Sequence, residues 1–137
     1  MTIRGAPAIG VAGVYGMVLA VREMRPSTKD QLLALLKDTK KYLDSSRPTA
    51  VNLMWATERV IHEAELFCPD NFEDQMIRLA QTIADEDVQI NKQMAQYGAS
   101  LIPEKANVIH HCNTGALATV DIGTALGVIY GSLPSLT

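Results

Sequence analysis

The chain has 137 residues, of which 47% are hydrophobic, 20% charged and 5% aromatic. That length gives room for about one domain, and the composition excludes a disordered, charge-rich chain. The apolar residues are mostly Ala, Val, Leu, Ile and Met, a balance that favours closely packed helices over an aromatic- and Thr-rich β-sandwich. The net charge of -3, from 12 basic and 15 acidic side chains, comes with no basic stripe, which argues against nucleic acid and anionic membrane as partners. Two cysteines, Cys68 and Cys112, cannot make a disulfide framework, so a reducing compartment is expected.

The first predicted element runs from about Pro7 to Met24. Pro7 suits a first helical turn, where its missing N–H would be unpaired anyway. Gly5 to Val21 carries no charge and imitates a signal peptide or membrane span. It falls short of the roughly 20 residues a span needs, and it is rich in Gly and Ala. A buried helix is favoured, with Ala8, Ala12, Gly16 and Ala20 forming a smooth face for a close neighbour. A second helix is expected over about Lys29 to Leu43, with Leu32, Leu35, Leu36 and Leu43 on its apolar stripe. A polar break from Asp44 to Thr49 separates it from a third, about Ala50 to Phe67, with Leu53, Met54, Val60 and Ile61 inward. Trp55, in mid-helix, is expected in the core. Cys68-Pro69-Asp70-Asn71 punctuates the chain. Met76, Leu79, Ile83, Ile90, Met94 and Tyr97 then predict a long helix from Phe72 to about Leu101, stopped by Pro103.

From Ala106 the character changes. Val108 and Ile109 predict a short strand, Asn113-Thr114-Gly115 a turn, and Ala116 to Tyr130 a second small-residue helix with Gly123 and Gly127. Strand, turn and helix open a βαβ unit, but a lone parallel strand has nothing to pair with. The expected fold class is mainly α: a helical domain over residues 1–103, then residues 104–137 as the first βα unit of an incomplete Rossmann-like α/β domain.

Three constellations could carry chemistry. His110-His111-Cys112-Asn113-Thr114-Gly115 places Cys112 at the carboxyl end of the predicted strand, before a helix. There a ligand binds in open α/β folds and a helix N-terminus favours a thiolate. Nucleophilic or proton-transfer work by Cys112 and a buried structural cysteine stay equally open on this reading. Metal binding is disfavoured, because only His110 and Cys112 would share a strand face and His62 is the sole further histidine; local hydrogen bonds are the simpler fate of the histidines. Arg4-Gly5-Ala6-Pro7 offers backbone access, a helix start and a fixed charge, a possible anion cradle that lacks the GKS or GKT of a Walker loop. Ser46-Arg47-Pro48-Thr49 puts another Arg before a helix. Cys68 reads as structural.

Arg4-Gly5-Ala6-Pro7-Ala8-Ile9-Gly10, Arg47-Pro48-Thr49-Ala50-Val51-Asn52-Leu53 and His111-Cys112-Asn113-Thr114-Gly115-Ala116-Leu117-Ala118-Thr119 occur in this order at these separations. Together with Gly123 to Ile129 they closely resemble the methylthioribose-1-phosphate isomerases of methionine salvage. The wider superfamily holds ribose-1,5-bisphosphate isomerases and regulatory subunits of the translation-initiation exchange factor. The resemblance extends to about Tyr130. It implies conversion of 5-methylthioribose 1-phosphate, an aldose phosphate, into the ketose 5-methylthioribulose 1-phosphate, with no metal and no nucleotide cofactor. It implies substrate contacts from Arg4, Gly5 and Ala6, a phosphate contact from Arg47, and proton transfer or transition-state stabilisation beside C1 and C2 by Cys112. It further implies a cytoplasmic homodimer, with the nucleus also open in a eukaryote.

The same resemblance marks departures. The family's catalytic Asp, with a substrate-contacting Gln and Lys, lies downstream of any residue here, and several tens of residues normally precede the Arg-Gly-Ala-Pro motif. Met1 stands where an internal Met often precedes it, and Gly131 to Thr137 departs from the expected helix continuation. The expectation is a chain truncated at both ends and weakly active or inactive. The alternatives are a non-catalytic sugar-phosphate-binding or regulatory protein of the same superfamily, and a helical scaffold that associates through its small-residue faces.

Overall fold

A computed structural model describes residues 3–133. The correspondence at Met1 and the 134–137 part of the divergent tail lie outside them. The elements are α1 (Ala6–Met24), α2 (Lys29–Ser46), α3 (Val51–Ala64), α4 (Phe72–Ala99), a single 3-10 turn (Ala116–Ala118) and α5 (Ala125–Gly131). The fold is mainly α, and no strand occurs among the described residues.

Helix ends follow local chemistry. The Thr28 hydroxyl accepts the Gln31 N–H at 3.2 Å and the Gln31 side chain accepts the Ser27 N–H at 2.9 Å, a reciprocal cap that starts α2. The Asn71 side chain accepts the Asp74 N–H at the start of α4, and Glu73 and Asp74 favour that positive end. Gln75 braces the preceding loop, accepting the Cys68 N–H and donating to the carbonyls of Cys68 and Asp70. Cys68 is exposed there rather than packed as a structural thiol.

The chain forms two compact units. One is Ile9–Ile83; the other joins the described residues of Met1–Ala8 to those of Ala84–Thr137. The first unit holds the hydrophobic core: Val14, Met17, Val18 and Val21 of α1, Leu32 and Leu36 of α2, Ala56, Val60, Ile61 and Ala64 of α3, and Phe72, Met76, Ala80 and Ile83 of α4. By length and composition α1 alone among the described helices could cross a membrane; its stripe of buried valines and Met17 lies in this core.

Close packing of α1 occurs in a different register from the one expected. Gly10 and Gly13 meet α3, whereas Gly16, of the expected Ala8, Ala12, Gly16 and Ala20 face, lies against Leu43 of α2. A Cβ on Gly10 would stand 2.8 Å from the Asn52 carbonyl oxygen and 3.3 Å from the Ala56 Cβ, and one on Gly13 only 2.4 Å from the Leu53 Cδ1. The four-residue spacing marked small residues correctly, but the faces rotate by 100° per residue, and the valines around Gly10 and Gly13 select the buried side. The glycine face is therefore covered by α3 within the same unit.

Trp55 is 57% exposed, not core. It flanks an open groove beside Val51, and the Arg59 guanidinium lies 5.7 Å from its ring centroid. α3 buries Leu53, Ala56, Thr57, Val60, Ile61 and Ala64, and Trp55 lies on the opposite arc.

In the second unit α4 continues to Ala99, where its stripe changes character: Ile90, Met94 and Tyr97 are exposed. Gly98 receives Val128 of α5, whose Cγ1 would lie 2.6 Å from an added Cβ. The expected strand at Val108–Ile109 does not form. Residues 103–113 are exposed and irregular, because one parallel strand without a neighbour leaves its backbone groups to water. The expected helix from Ala116 to Tyr130 is broken into the 3-10 turn and α5. Gly123, with φ +90°, fits against the Thr114 carbonyl and Gly115, where a Cβ would stand 2.5 Å from that oxygen.

The Gly10 contact gives a direct test. Gly10→Ala is expected to lower stability by about 1–3 kcal/mol through overpacking, although Ala is the better helix former by about 1 kcal/mol. An unchanged or raised urea midpoint would show that α1 and α3 separate freely.

Candidate substrate-binding site

Two of the three sequence motifs meet within one unit. Gly5 precedes α1 with φ +106°, a conformation that glycine adopts without penalty. Its missing side chain is the reason it can lie on Ala118: an added Cβ would stand 2.3 Å from the Ala118 Cα and 2.9 Å from its carbonyl oxygen. The Arg4-Gly5-Ala6 segment thus packs on the backbone that follows Cys112. Arg4 and Ala6 are exposed and Gly5 is partly buried.

The segment after Cys112 is held as a closed loop. The Thr114 carbonyl accepts the Thr124 N–H at 2.8 Å and the Leu126 N–H at 3.3 Å. The buried Thr119 hydroxyl accepts the Gly123 N–H at 3.0 Å. The Asp87 carboxylate of α4 accepts the Val120 N–H at 2.9 Å, and Lys92 lies 3.8 Å from Asp121. Asp87 has no motif signature, and only the folded loop reveals its part.

Cys112 is exposed, with φ +70°, a left-handed conformation that costs a non-glycine residue about 1–2 kcal/mol. It is neither a buried structural cysteine nor adjacent to an α-helix, since α5 begins only at Ala125. The helix-dipole argument for a thiolate, which required the helix to start beside Cys112, does not hold in this structure. His110 Nδ1 lies 3.1 Å from the Thr114 hydroxyl, a local hydrogen bond of the kind expected, and His111 is exposed. Among the described residues no group of three or more His, Cys, Asp or Glu is arranged to hold a metal.

Arg47 lies in the other unit. It is the C-cap of α2 (φ -145°, ψ 74°), and its N–H bonds the Asp44 carbonyl at 3.2 Å. Its own carbonyl accepts the Ala50 N–H at 2.9 Å. It is therefore a hinge between α2 and α3, ahead of Ala50, the N-cap of α3, which makes no side-chain cap hydrogen bond. No acidic side chain occupies the first turn of α1 or α3, so neither positive end is already neutralised.

Below Arg47 lies a polar cluster that pattern reading passed over. Lys40 donates to the Asp44 carboxylate at 2.6 Å and stands 3.3 Å from Glu58 and from the Thr57 hydroxyl. Thr57, fully buried, reaches the other Asp44 oxygen at 3.0 Å. Lys40 and Asp44 at i,i+4 was the available signal; Thr57 arrives from α3 and leaves no local one. Partial burial pulls the Lys40 pKa down, but the Asp44 and Glu58 carboxylates outweigh it, and the net shift is upward.

Comparisons with known proteins identify the family. The Initiation factor 2 subunit family matches residues 2–133, and the chain belongs to it. Within that family it is 52% identical over 132 residues to methylthioribose-1-phosphate isomerase 2 of Pseudothermotoga lettingae, covering 94% of this chain and 37% of the relative. It is 46% identical to the methylthioribose-1-phosphate isomerase of Pelotomaculum thermopropionicum, with 94% and 36% covered. Two crystal structures superpose comparably. The translation initiation factor eIF-2B subunit delta of A. fulgidus has TM-score 0.80 and 42% identity, over 96% of this chain and 39% of that one. The 5-methylthioribose 1-phosphate isomerase of Pyrococcus horikoshii has TM-score 0.79 and 41% identity, over 94% and 37%. The chain spans well under half the length of each.

Because the Lys40 pKa is raised on folding, its contribution to stability is complete below the ordinary lysine value of about 10.4 and is lost as pH rises through the folded value. The melting-temperature gap between the native chain and Lys40→Met should therefore hold from about pH 7 to 9 and narrow above about pH 10.5. A gap that widens with alkali would contradict the assignment.

Proposed function

We propose that the chain carries the amino-terminal substrate contacts and the active-site cysteine of a sugar-phosphate isomerase. The reaction is the aldose–ketose conversion of 5-methylthioribose 1-phosphate to 5-methylthioribulose 1-phosphate. The observation that carries the reading is the seating of Gly5 on Ala118, which puts the Arg-Gly-Ala motif against the segment leading from Cys112. The names of the relatives support the substrate. In this reading Arg4, Gly5 and Ala6 contact the sugar phosphate and Arg47 binds the phosphate. Cys112 holds or moves a proton beside C1 and C2. An exposed thiol on a loop suits that work better than a buried one would. No metal or nucleotide takes part.

The Rossmann-like βα unit belongs to the same proposal: Val108–Ile109 becomes a strand when sheet neighbours supply its hydrogen bonds. The Asp, Gln and Lys that the resemblance expects beyond Cys112 match no position among these 137 residues. We therefore expect the isolated chain to bind the sugar phosphate and to be weakly active or inactive as an isomerase. The remaining assignments are a cytoplasmic location, no nucleic acid or membrane partner, and a homodimer. The bacterial relatives lend nothing to a nuclear site. The second reading, a non-catalytic sugar-phosphate-binding or regulatory role, draws on the equal superposition with the eIF-2B delta subunit.

Calorimetry with 5-methylthioribose 1-phosphate, followed by a turnover assay, separates them. Arg47→Ala should weaken binding by about tenfold or more, as expected for a lost charge-assisted hydrogen bond. Whatever turnover the chain shows should fall by about 10²–10⁴ in Cys112→Ser. Turnover that is lost in Cys112→Ser favours the isomerase reading, turnover near that of a full-length relative would overturn the expectation of weak activity, and binding indifferent to Arg47 sinks the phosphate assignment.

A further inference from the structure

We propose that Asp44, gripped by Lys40 and Thr57, is a positioning residue that sets the direction of Arg47; the inference rests on the phosphate-binding reading of Arg47. Two residues separate them, and a chain of two backbone hydrogen bonds runs from Asp44 through Arg47 to the start of α3. The Asp44 carbonyl takes the Arg47 N–H at 3.2 Å, and the Arg47 carbonyl takes the Ala50 N–H at 2.9 Å. Any rotation of residue 44 is therefore passed to the backbone that carries the guanidinium. That backbone, at φ -145° and ψ 74°, has left the helix, and the N–H bond to Asp44 is what ties it back to the last turn of α2.

The Asp44 carboxylate is fixed instead by side chains from two directions. One oxygen receives the Lys40 ammonium at 2.6 Å from within α2, and the other receives the Thr57 hydroxyl at 3.0 Å from the middle of α3. The Thr57 hydroxyl has one proton and three acceptors in reach: Asp44, and the carbonyls of Leu53 and Met54, both at 3.1 Å. The ionised carboxylate is the strongest of these, and the Lys40 ammonium, 3.3 Å from the hydroxyl oxygen, completes the ring. A valine at position 57 would fill nearly the same core space without the cost of burying a hydroxyl. What the hydroxyl adds is direction. It ties the last turn of α2 to α3, the helix on the far side of the Arg47 hinge. If the competent orientation of Arg47 becomes one of several, apparent affinity falls by the fraction lost.

The test uses the 137-residue chain, 5-methylthioribose 1-phosphate as probe, and two readouts: the dissociation constant and the Arg47 Nε–H resonance in ¹⁵N-labelled protein. Thr57→Val keeps the shape and removes the hydroxyl, whereas Thr57→Ser keeps the hydroxyl. We expect Thr57→Val to weaken binding about 3- to 10-fold and to move the Arg47 resonance in the free protein, with Thr57→Ser within about twofold of the native chain. Asp44→Asn, at a partly exposed position, should reproduce the Thr57→Val effect and serves if the buried variant does not fold. A lower melting temperature with dissociation constant and resonance both unmoved would reduce the cluster to a structural brace and overturn the proposal while the phosphate reading stands. If Arg47→Gln binds as well as the native chain, the phosphate reading fails and the proposal falls with it.

Discussion

Everything in the first unit is spaced by the contact of α1 with α3 at Gly10. A helix whose residue 10 had any side chain would be held off the Asn52 carbonyl, and the core built from Val14, Met17, Val18 and Val21 would open with it. The contact is one of backbones, so there is no flexible chain end to absorb a misfit. Dispersion and burial then act over a short, fixed distance. It is also why so small a unit can have a packed core with few aromatic residues: glycine and alanine bring the helices close, and medium-sized aliphatic side chains fill what remains.

The same closeness determines where polarity is tolerated. Thr57 lies one turn beyond Leu53, which meets Gly13, and is buried with its hydroxyl satisfied by Asp44 or by its own helix. Lys40 and Asp44 stay partly open to solvent, with side-chain exposures of 21% and 18%, where an ion pair avoids the full desolvation cost of the interior. The cluster lies at the rim of the core, beneath the turn that bears Arg47. In the other unit loop rigidity has a different origin. There a single carbonyl, Thr114, collects two N–H groups, and Gly123 supplies the backbone freedom that lets the chain fold back onto it.

The helices were legible because their signals are local. α1, α2 and α4 lie within two or three residues of the spans expected from Pro7, the leucine stripe and the Met76–Ile83 spacing; α3 ends at Ala64 rather than Phe67, a frayed end. The motifs containing Arg4, Arg47 and Cys112 were legible as sequence, and their grouping was only half so. That Gly5 touches Ala118 depends on a fold-back of more than a hundred residues, which periodicity cannot report. Trp55 was misplaced because hydrophobicity alone ignores which arc of α3 faces α1. The strand at Val108 failed for a further reason: β structure belongs to a pair of segments, and a sequence pattern names only one of them. The helix expected over Ala116 to Tyr130 had good composition throughout, but Gly123 at positive φ and the claim of Thr114 on two amides outcompeted it.

The later half of α4 has a colloidal consequence. Ile90, Met94 and Tyr97 repeat at helical spacing and are 60%, 39% and 76% exposed, on a chain whose net charge is only -3. Such a row offers dye and detergent a ready hydrophobic face, and the weak charge provides little repulsion to keep molecules apart as they are concentrated. Salt would screen what repulsion there is. About two turns of a single helix thus add an apolar face to the surface of this polypeptide, one that a charged side chain at position 97 would interrupt.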